Sequence, residues 1–321
     1  MHQRCVLYPP SFGKAPEPLF NKTVFADKTD VPDWACPGRL AQECYNKPVD
    51  ERRTHCLSPV RLNPFKYECE PTMQPILTIA LRAARNAADK LSYTLSNIDS
   101  LTAEGATRKD VFDKAIEDAA WRARKAIRKG HPRHHIDSLH IGMDESRDYD
   151  GQSCWKINVV SGESNYRSGY PGYLIVVTFF IKDRVEAAAL LDPVTGDEWT
   201  SMRGRGVQLN DRRVRVDIST LGLALAAIDS RDPAEIGRWS ERVAGIRVSG
   251  CGLMNIAQLV AGRVQLAFAD NLNDVDFPAA SLLLQEAGAL SGDRNGGPVS
   301  AKKGELLAAS PRLFKQLFSR G

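Results

Sequence analysis

Four features of this 321-residue sequence could do chemistry. The first is carboxylate. "GMDESRD" at 142–148 sets Asp144, Glu145 and Asp148 close together, the kind of oxygen-rich group that a hard cation such as Mg²⁺ takes as ligands. A solvated acidic loop is the commoner origin of such a run. "DVDFPAASLLLQEAG" puts Asp274 and Asp276 just ahead of an amphipathic helix. Capping and the helix dipole already account for acidic residues there. The second is a turn. "WKINVVSGESNY" at 155–166 reads as a strand running through Ser161 and Gly162 into a polar segment. A strand that ends at glycine before a helix start often frames a phosphate or metal site, yet this one holds a single carboxylate, Glu163, and neither His nor Cys.

The third is basic. "KAIRKGHPRHH" at 125–135 carries three of the six histidines. Such a run can bind metal or RNA, and a helix end followed by a loop explains it as well, because Lys and Arg favour the last helical turn. The fourth is Cys251, between two glycines in "VSGCGLMN". A nucleophilic cysteine needs a base partner and a lowered pKa. No Cys/His spacing supplies them, so a small residue packed at a glycine turn is the simpler reading.

The elements that must position these residues begin at Met73. Ile76, Leu77, Ala80, Leu81, Ala84, Ala87, Ala88 and Leu91 fall on one helical face. A second helix is expected over Asp110 to Lys129, with Val111, Ala115, Ile116, Ala119, Ala123 and Ile127 inward and Gly130 as C-cap. "YLIVVTFFIKDRVEAAALLDP" reads as two strands about a Lys182-Asp183 turn. Then come a helix near Met254–Ala261, the strand "VQLAFA", the helix "FPAASLLLQEAG" closed by Gly288, the strand "LLAAS" and the helix "PRLFKQLFSR". Leading helices, a central hairpin and a β/α alternation point to a layered mixed fold.

Before Met73 the composition differs. Five of the seven Cys and ten of the eighteen Pro lie there without useful apolar periodicity. No C-x-x-C pair supports zinc, so residues 1–72 are expected to be an irregular extension or an over-extended start, with "MQPILTIALRAARNAADKL" resembling a natural beginning. The remaining 73–321 form the expected domain. No run of eighteen apolar residues suggests a membrane span, and no apolar stretch in the first thirty residues suggests a secretory signal, so a cytoplasmic protein with reduced thiols is expected. A net charge of +4 is too mild to imply nucleic-acid binding by itself.

In order along the chain, the pieces resemble the inositol monophosphatase family. "LDPVTGDEWTSMRGRGVQLNDRRVRV" is similar to its D-P-x-x-x-E-L-F segment. "VSGCGLMNIAQLVAGRVQLAF" followed by "DVDFPAASLLLQEAGAL" resembles its C-terminal W-D-x-A-A-G signature, and the helix after Met73 resembles the opening of its bacterial extragenic-suppressor branch. The resemblance implies an α+β fold, a layered α-β-α-β-α sandwich, usually a homodimer. It also implies Mg²⁺-dependent hydrolysis of inositol or sugar phosphates, in which metals activate water and neutralise the phosphate.

Carried over residue by residue, the resemblance gives Glu145 and Asp276 as metal ligands, and Glu145 and Asp113 as catalytic. Gly162, Gly250 and Cys251 fall on the substrate side. Asn158 and Ser161 stand where the two Asp of D-P-[LI]-D-G-T belong, and Glu163 replaces the Thr. Asp110 stands for a Thr, Glu104 for a Lys, and Ala269 for a substrate-contacting Glu, with Asp270 adjacent. Asn158 offers one neutral oxygen where a bridging charge is expected, so Mg²⁺ affinity is expected to be weak or lost. Three functions remain open: a degenerate member that binds a ligand or partner with little turnover; a phosphatase with a rearranged ligand set drawn from Asp144, Glu145, Glu163, Asp270 and Asp276; and a regulator associated with transcription machinery or RNA, as the extragenic-suppressor branch suggests.

Overall fold

The computed structural model describes residues 74–103, 105–230 and 232–318. The extension expected at 1–72 and the position of Glu104 lie outside the described residues. Two long helices come first, α1 (Gln74–Ser96) and α2 (Arg108–Gly130), joined by a short helical turn, Ile98–Thr102. The facing surfaces are rich in alanine: Ala80, Ala83, Ala84 and Ala87 on α1, and Ala115, Ala119, Ala120 and Ala123 on α2, all buried. Small side chains let the helix backbones approach closely. At the start of α2, Thr107 and Asp110 form a reciprocal capping box, which gives Asp110 a structural role. Gly130 is the last helical residue and His131 the C-cap. The expected glycine cap is therefore corrected: a Cβ at Gly130 would come 2.9 Å from Ile79 Cδ1, so close packing on α1 is what wants glycine there.

The chain then builds an eight-stranded sheet in the order β2-β1-β3-β4-β5-β6-β7-β8. Its strands are β1 (His135–Ser138), β2 (Gly142–Asp144), β3 (Ser153–Ser161), β4 (Leu174–Ile181), β5 (Arg184–Leu191), β6 (Glu198–Met202), β7 (Gly206–Leu209) and β8 (Arg212–Val214). A short helix, α3 (Glu163–Ser168), follows β3. Lys182 and Asp183 both take positive φ, 49° and 61°, the backbone of the two-residue hairpin turn that matches strand twist. β4 is buried over nearly its whole length, as expected of a strand covered on both faces.

The second half forms a five-stranded sheet in the order β10-β9-β11-β13-β12: β9 (Leu225–Ile228), β10 (Gly245–Arg247), β11 (Leu266–Ala269), β12 (Leu290–Gly292) and β13 (Leu306–Ala309). Its helices are α4 (Pro233–Ser240), α5 (Gly252–Val260), α6 (Asp276–Ala287) and α7 (Pro311–Phe318). β9, β10 and β11 run parallel.

Three apolar cores define the layers. Ile157, Ile175, Val177 and Ala189 pack against α1 and α2. Leu174, Val176, Leu190 and Trp199, on the other face of the same sheet, meet α5 and α6 together with Ala227, Ala267 and Ala308 of the second sheet. Ile228, Phe268 and Leu307 pack outward against Trp239 and Leu313. The result is the α-β-α-β-α sandwich. Among the described residues no helix is long and apolar enough to cross a membrane.

Candidate functional site

A cavity of about 820 Å³ opens beyond the C-terminal ends of β3, β9 and β11. Parallel strands end here with their connecting loops splayed apart, the usual ligand crevice of an open α/β layer. Asp229 follows β9, Val248 follows β10 and Asp270 follows β11. From the other sheet come Asn158, Ser161, Gly162 and Glu163, and α5 and α6 contribute Cys251 and Asp276.

The position of Asn158 and Ser161 rests on an irregularity. Residues three apart in a regular strand point to opposite faces. The β3–β4 register shifts between Asn158 and Ser161, and this bulge turns both side chains the same way. Asn158 Nδ2 donates to Asp276 Oδ1 at 2.9 Å and Ser161 Oγ donates to Asp276 Oδ2 at 2.7 Å. Val160 N–H donates to Asn158 Oδ1 at 3.1 Å, which fixes the amide so that its NH₂ faces the carboxylate. Asn273 Nδ2 adds a third donor to Asp276 at 3.0 Å. The Asp276 carboxyl is buried, and burial pushes its pKa above the ordinary value despite the three donors. His140 Nε2 lies 3.1 Å from Asn158 Oδ1, and burial lowers its pKa.

Capping was the expected role of Asp274 and Asp276, and the structure assigns it differently. Asn273 Oδ1 accepts from the N–H groups of Val275 and Asp276, so Asn273, two residues ahead of the N-cap Val275, satisfies the N–H groups where α6 begins. That leaves Asp276 to face the cavity while Asp274 reaches Lys156 at 3.5 Å.

Glu145 is not brought to this site. β1 runs parallel to β3, so the residues leaving its C-terminal end, Leu139 and His140, arrive beside Asn158 and line the cavity. β2 returns antiparallel, pairing Asp144 with Ile136, and carries Glu145 back past the start of β1, where it is exposed. Asp144 is held by Arg128 at 2.7 Å. The position opposite Asn158 therefore belongs to His140, which sequence reasoning missed because the hairpin reverses the chain between 138 and 144.

Asp113 lies outside the cavity lining. It pairs with Lys109 at 2.6 Å and Arg167 at 2.5 Å, and those two cations hold its carboxyl below the usual value. Arg167 also holds Glu163 at 2.6 Å. Gly162, Gly250 and Cys251 do line the cavity. Gly162 has φ 91°, and a Cβ there would sit 3.0 Å from Cys251 Cβ and from Gly172 O, so glycine is required twice over. Cys251 is the N-cap residue of α5 and is buried, with its thiol pushed up to about 12 by burial. It is a packed thiol and no nucleophile at neutral pH. Ala269 ends β11 fully buried, and the adjacent Asp270 faces the cavity 3.9 Å from Arg294.

The histidines of 125–135 do not form a metal cluster. His131 and His134 stack at 4.5 Å, and Trp155 Nε1 donates to His134 Nδ1. Burial pushes His134 down to about 4, and His135 stacks on Tyr149.

Two properties decide what the cavity can hold. Among the described residues its lining includes five carboxylates, Glu163, Asp229, Asp232, Asp270 and Asp276, and neither Lys nor Arg. Its most central carboxylate already accepts three hydrogen bonds. An Mg²⁺ shell requires oxygens with free lone pairs converging on one point. Here the Asn158 and Ser161 side chains turn hydrogens toward Asp276, and among the described residues no group of three or more His, Cys, Asp or Glu is placed to hold a metal. The residues present do not fit that ion.

Comparison with known proteins places the chain in context. The profile of the inositol monophosphatase family matches residues 72–320. A protein of Pseudomonas aeruginosa named Nus factor SuhB is 32% identical over 263 residues, covering 77% of this chain and 96% of the relative. The protein of that name in Escherichia coli K12 is 30% identical over 257 residues, covering 77% and 96%. Among solved structures, the extragenic suppressor protein suhB of Bartonella henselae superposes with a TM-score of 0.66 at 22% identity, covering 76% of this chain and 97% of that one. The inositol monophosphatase of Anabaena (Nostoc) gives 0.64 at 23% identity, covering 77% and 94%.

Proposed function

This chain belongs to the inositol monophosphatase family, and we propose that it uses the family's cavity to bind a ligand or partner, with little or no phosphomonoester turnover. The observation that carries this reading is the closed network around Asp276, in which Asn158, Ser161 and Asn273 all donate to one carboxylate. Hydrolysis of a phosphomonoester by this family's chemistry needs metal charge to offset the phosphate. The cavity supplies the opposite. A phosphate dianion beside one carboxylate at 4 Å is disfavoured by about 4 kcal/mol per charge pair at an effective dielectric constant of about 20. The lining suits a ligand that donates hydrogen bonds.

The test is hydrolysis of inositol 1-phosphate and a panel of sugar phosphates by the full chain with millimolar Mg²⁺. Turnover is expected to be barely above background. A rate near 1 s⁻¹, the lower edge of ordinary enzymes, overturns the reading in favour of a phosphatase with a rearranged ligand set.

The relatives favour a second, compatible reading. Proteins at 32% and 30% identity, matched over 96% of their length, bear the name Nus factor. On that similarity we propose, as a second reading, a regulatory association of this chain with transcription machinery. Immobilised full chain should retain RNA polymerase or its elongation factors from a lysate at low salt. A clean absence of both removes this second reading and leaves the cavity reading untouched.

A further inference from the structure

Outside the cavity, α1 and α2 leave a groove of about 430 Å³ between their outward surfaces, lined chiefly by Arg82, Asn86, Asp89, Arg122, Lys125 and Lys129. The helices run antiparallel, since Ile79 meets Gly130 while Lys90 meets Asp118. Arg82 therefore stands across from Lys129 and Asp89 across from Arg122. Several cations elsewhere on the same helices are matched by carboxylates: Arg85 to Glu198, Lys90 and Lys114 to Asp118, Arg128 to Asp144. Among the described residues the four in the groove have no carboxylate partner, and Asp89 is the only acid among the described lining residues.

The fold thus separates the basic run at 125–135 into two parts. Arg128 turns inward to Asp144 and to the carbonyls of Pro132 and His134, while Lys125 and Lys129 turn to the groove. On its shoulder, one helical turn before Lys125, stands Trp121, 51% exposed, with the Arg124 guanidinium 4.9 Å from its ring.

We infer that this groove binds a short stretch of single-stranded nucleic acid, its phosphates running along Arg82, Arg122, Lys125 and Lys129 and a base stacked on Trp121. A cationic track with an adjacent exposed aromatic is what single-strand binding requires, because phosphates give affinity and any base offers a π-face. The span from residue 122 to 129 on α2 is about 10 Å. Helices packed about 8–10 Å apart leave no room between them for a duplex, and a stacked base must first be unpaired. The groove shares no residue with the cavity, and its occupancy is independent of what the cavity binds.

The experiment is fluorescence anisotropy of a labelled ten-nucleotide single strand titrated with full chain at several salt concentrations, with inorganic polyphosphate and the matching duplex as competitors. Binding is expected with a log–log salt slope no steeper than about −3, the value for four phosphates on a single strand. Lys125→Glu with Lys129→Glu should weaken it more than tenfold, as should Arg82→Glu on the opposite helix. Trp121→Ala should weaken it at least about fivefold, the low end of stacking on one aromatic. Circular dichroism melting verifies that each variant is folded. Failure to bind, preference for the duplex, or equal competition by polyphosphate with no effect of Trp121→Ala each overturns the inference. The last outcome would mark the groove as a general polyanion surface.

Discussion

The floor of the cavity and the α1–α2 groove treat charge in opposite ways. At Asp276 a buried carboxylate is surrounded by neutral donors held at 2.7 to 3.0 Å, each locked by the backbone that presents it. In the groove four cations face solvent with no carboxylate partner among the described residues. Burial explains the difference. An unpaired charge inside costs several kcal/mol, so folding selects partners for it. An exposed Lys or Arg is already solvated, and its surroundings are free to be shaped by a partner outside the chain. The cavity is satisfied from within, whereas the groove is left to be satisfied from without.

The largest effect should come from restoring charge to the cavity. Asn158→Asp with Ser161→Asp places two further carboxylates against Asp276, each pair worth about 4 kcal/mol of repulsion at an effective dielectric constant of about 20. The double variant should unfold at much lower urea than the parent without divalent ions and regain that loss with millimolar Mg²⁺, and calorimetry should register tighter Mg²⁺ binding than in the parent. If the pair fails to fold, Ser161→Asp alone should show the same Mg²⁺-dependent recovery on a smaller scale. No response to Mg²⁺ in either variant breaks the comparison, since the cavity would then hold no latent metal geometry. Next, Asp276→Ala removes the acceptor and strands two buried donors, Asn158 and Ser161, and the half-buried Asn273. A loss of about 2–4 kcal/mol is expected in urea denaturation, and a loss under about 1 kcal/mol would mean that the network is not what ties β3 to the start of α6. The smallest effect belongs to the groove. Lys125→Glu should change stability by less than about 0.5 kcal/mol, because the native side chain has nothing to lose. A cost above about 1 kcal/mol would show that Lys125 has a structural partner after all.

Local signals carried much of this molecule. Apolar periodicity located α1, α2 and α6, the Lys182-Asp183 pair marked its hairpin, and Gly288 ends α6 in the left-handed conformation as a C-cap should. Gly162, Cys251 and Asp276 were legible because each sits at an element boundary with a recognisable turn. Glu145 misled because its neighbours resemble a ligand motif, and a motif carries no information about which end of a hairpin it occupies. His140, Asp229, Asp232 and Asn273 gave no signal, since each lies in a loop whose position is set by the strand before it.

The sequence by itself determined the layers and the family, because periodicity, turn chemistry and residue identity are properties of the chain, and it set Asn158 and Ser161 where the resemblance implies two aspartates. Tertiary structure alone decided what those two side chains do. A bulge between residues 158 and 161 turns both toward an acid 118 and 115 positions away. Helix packing likewise brought Arg82 across from Lys129. Both outcomes depend on distances between segments remote in sequence, which no local pattern encodes.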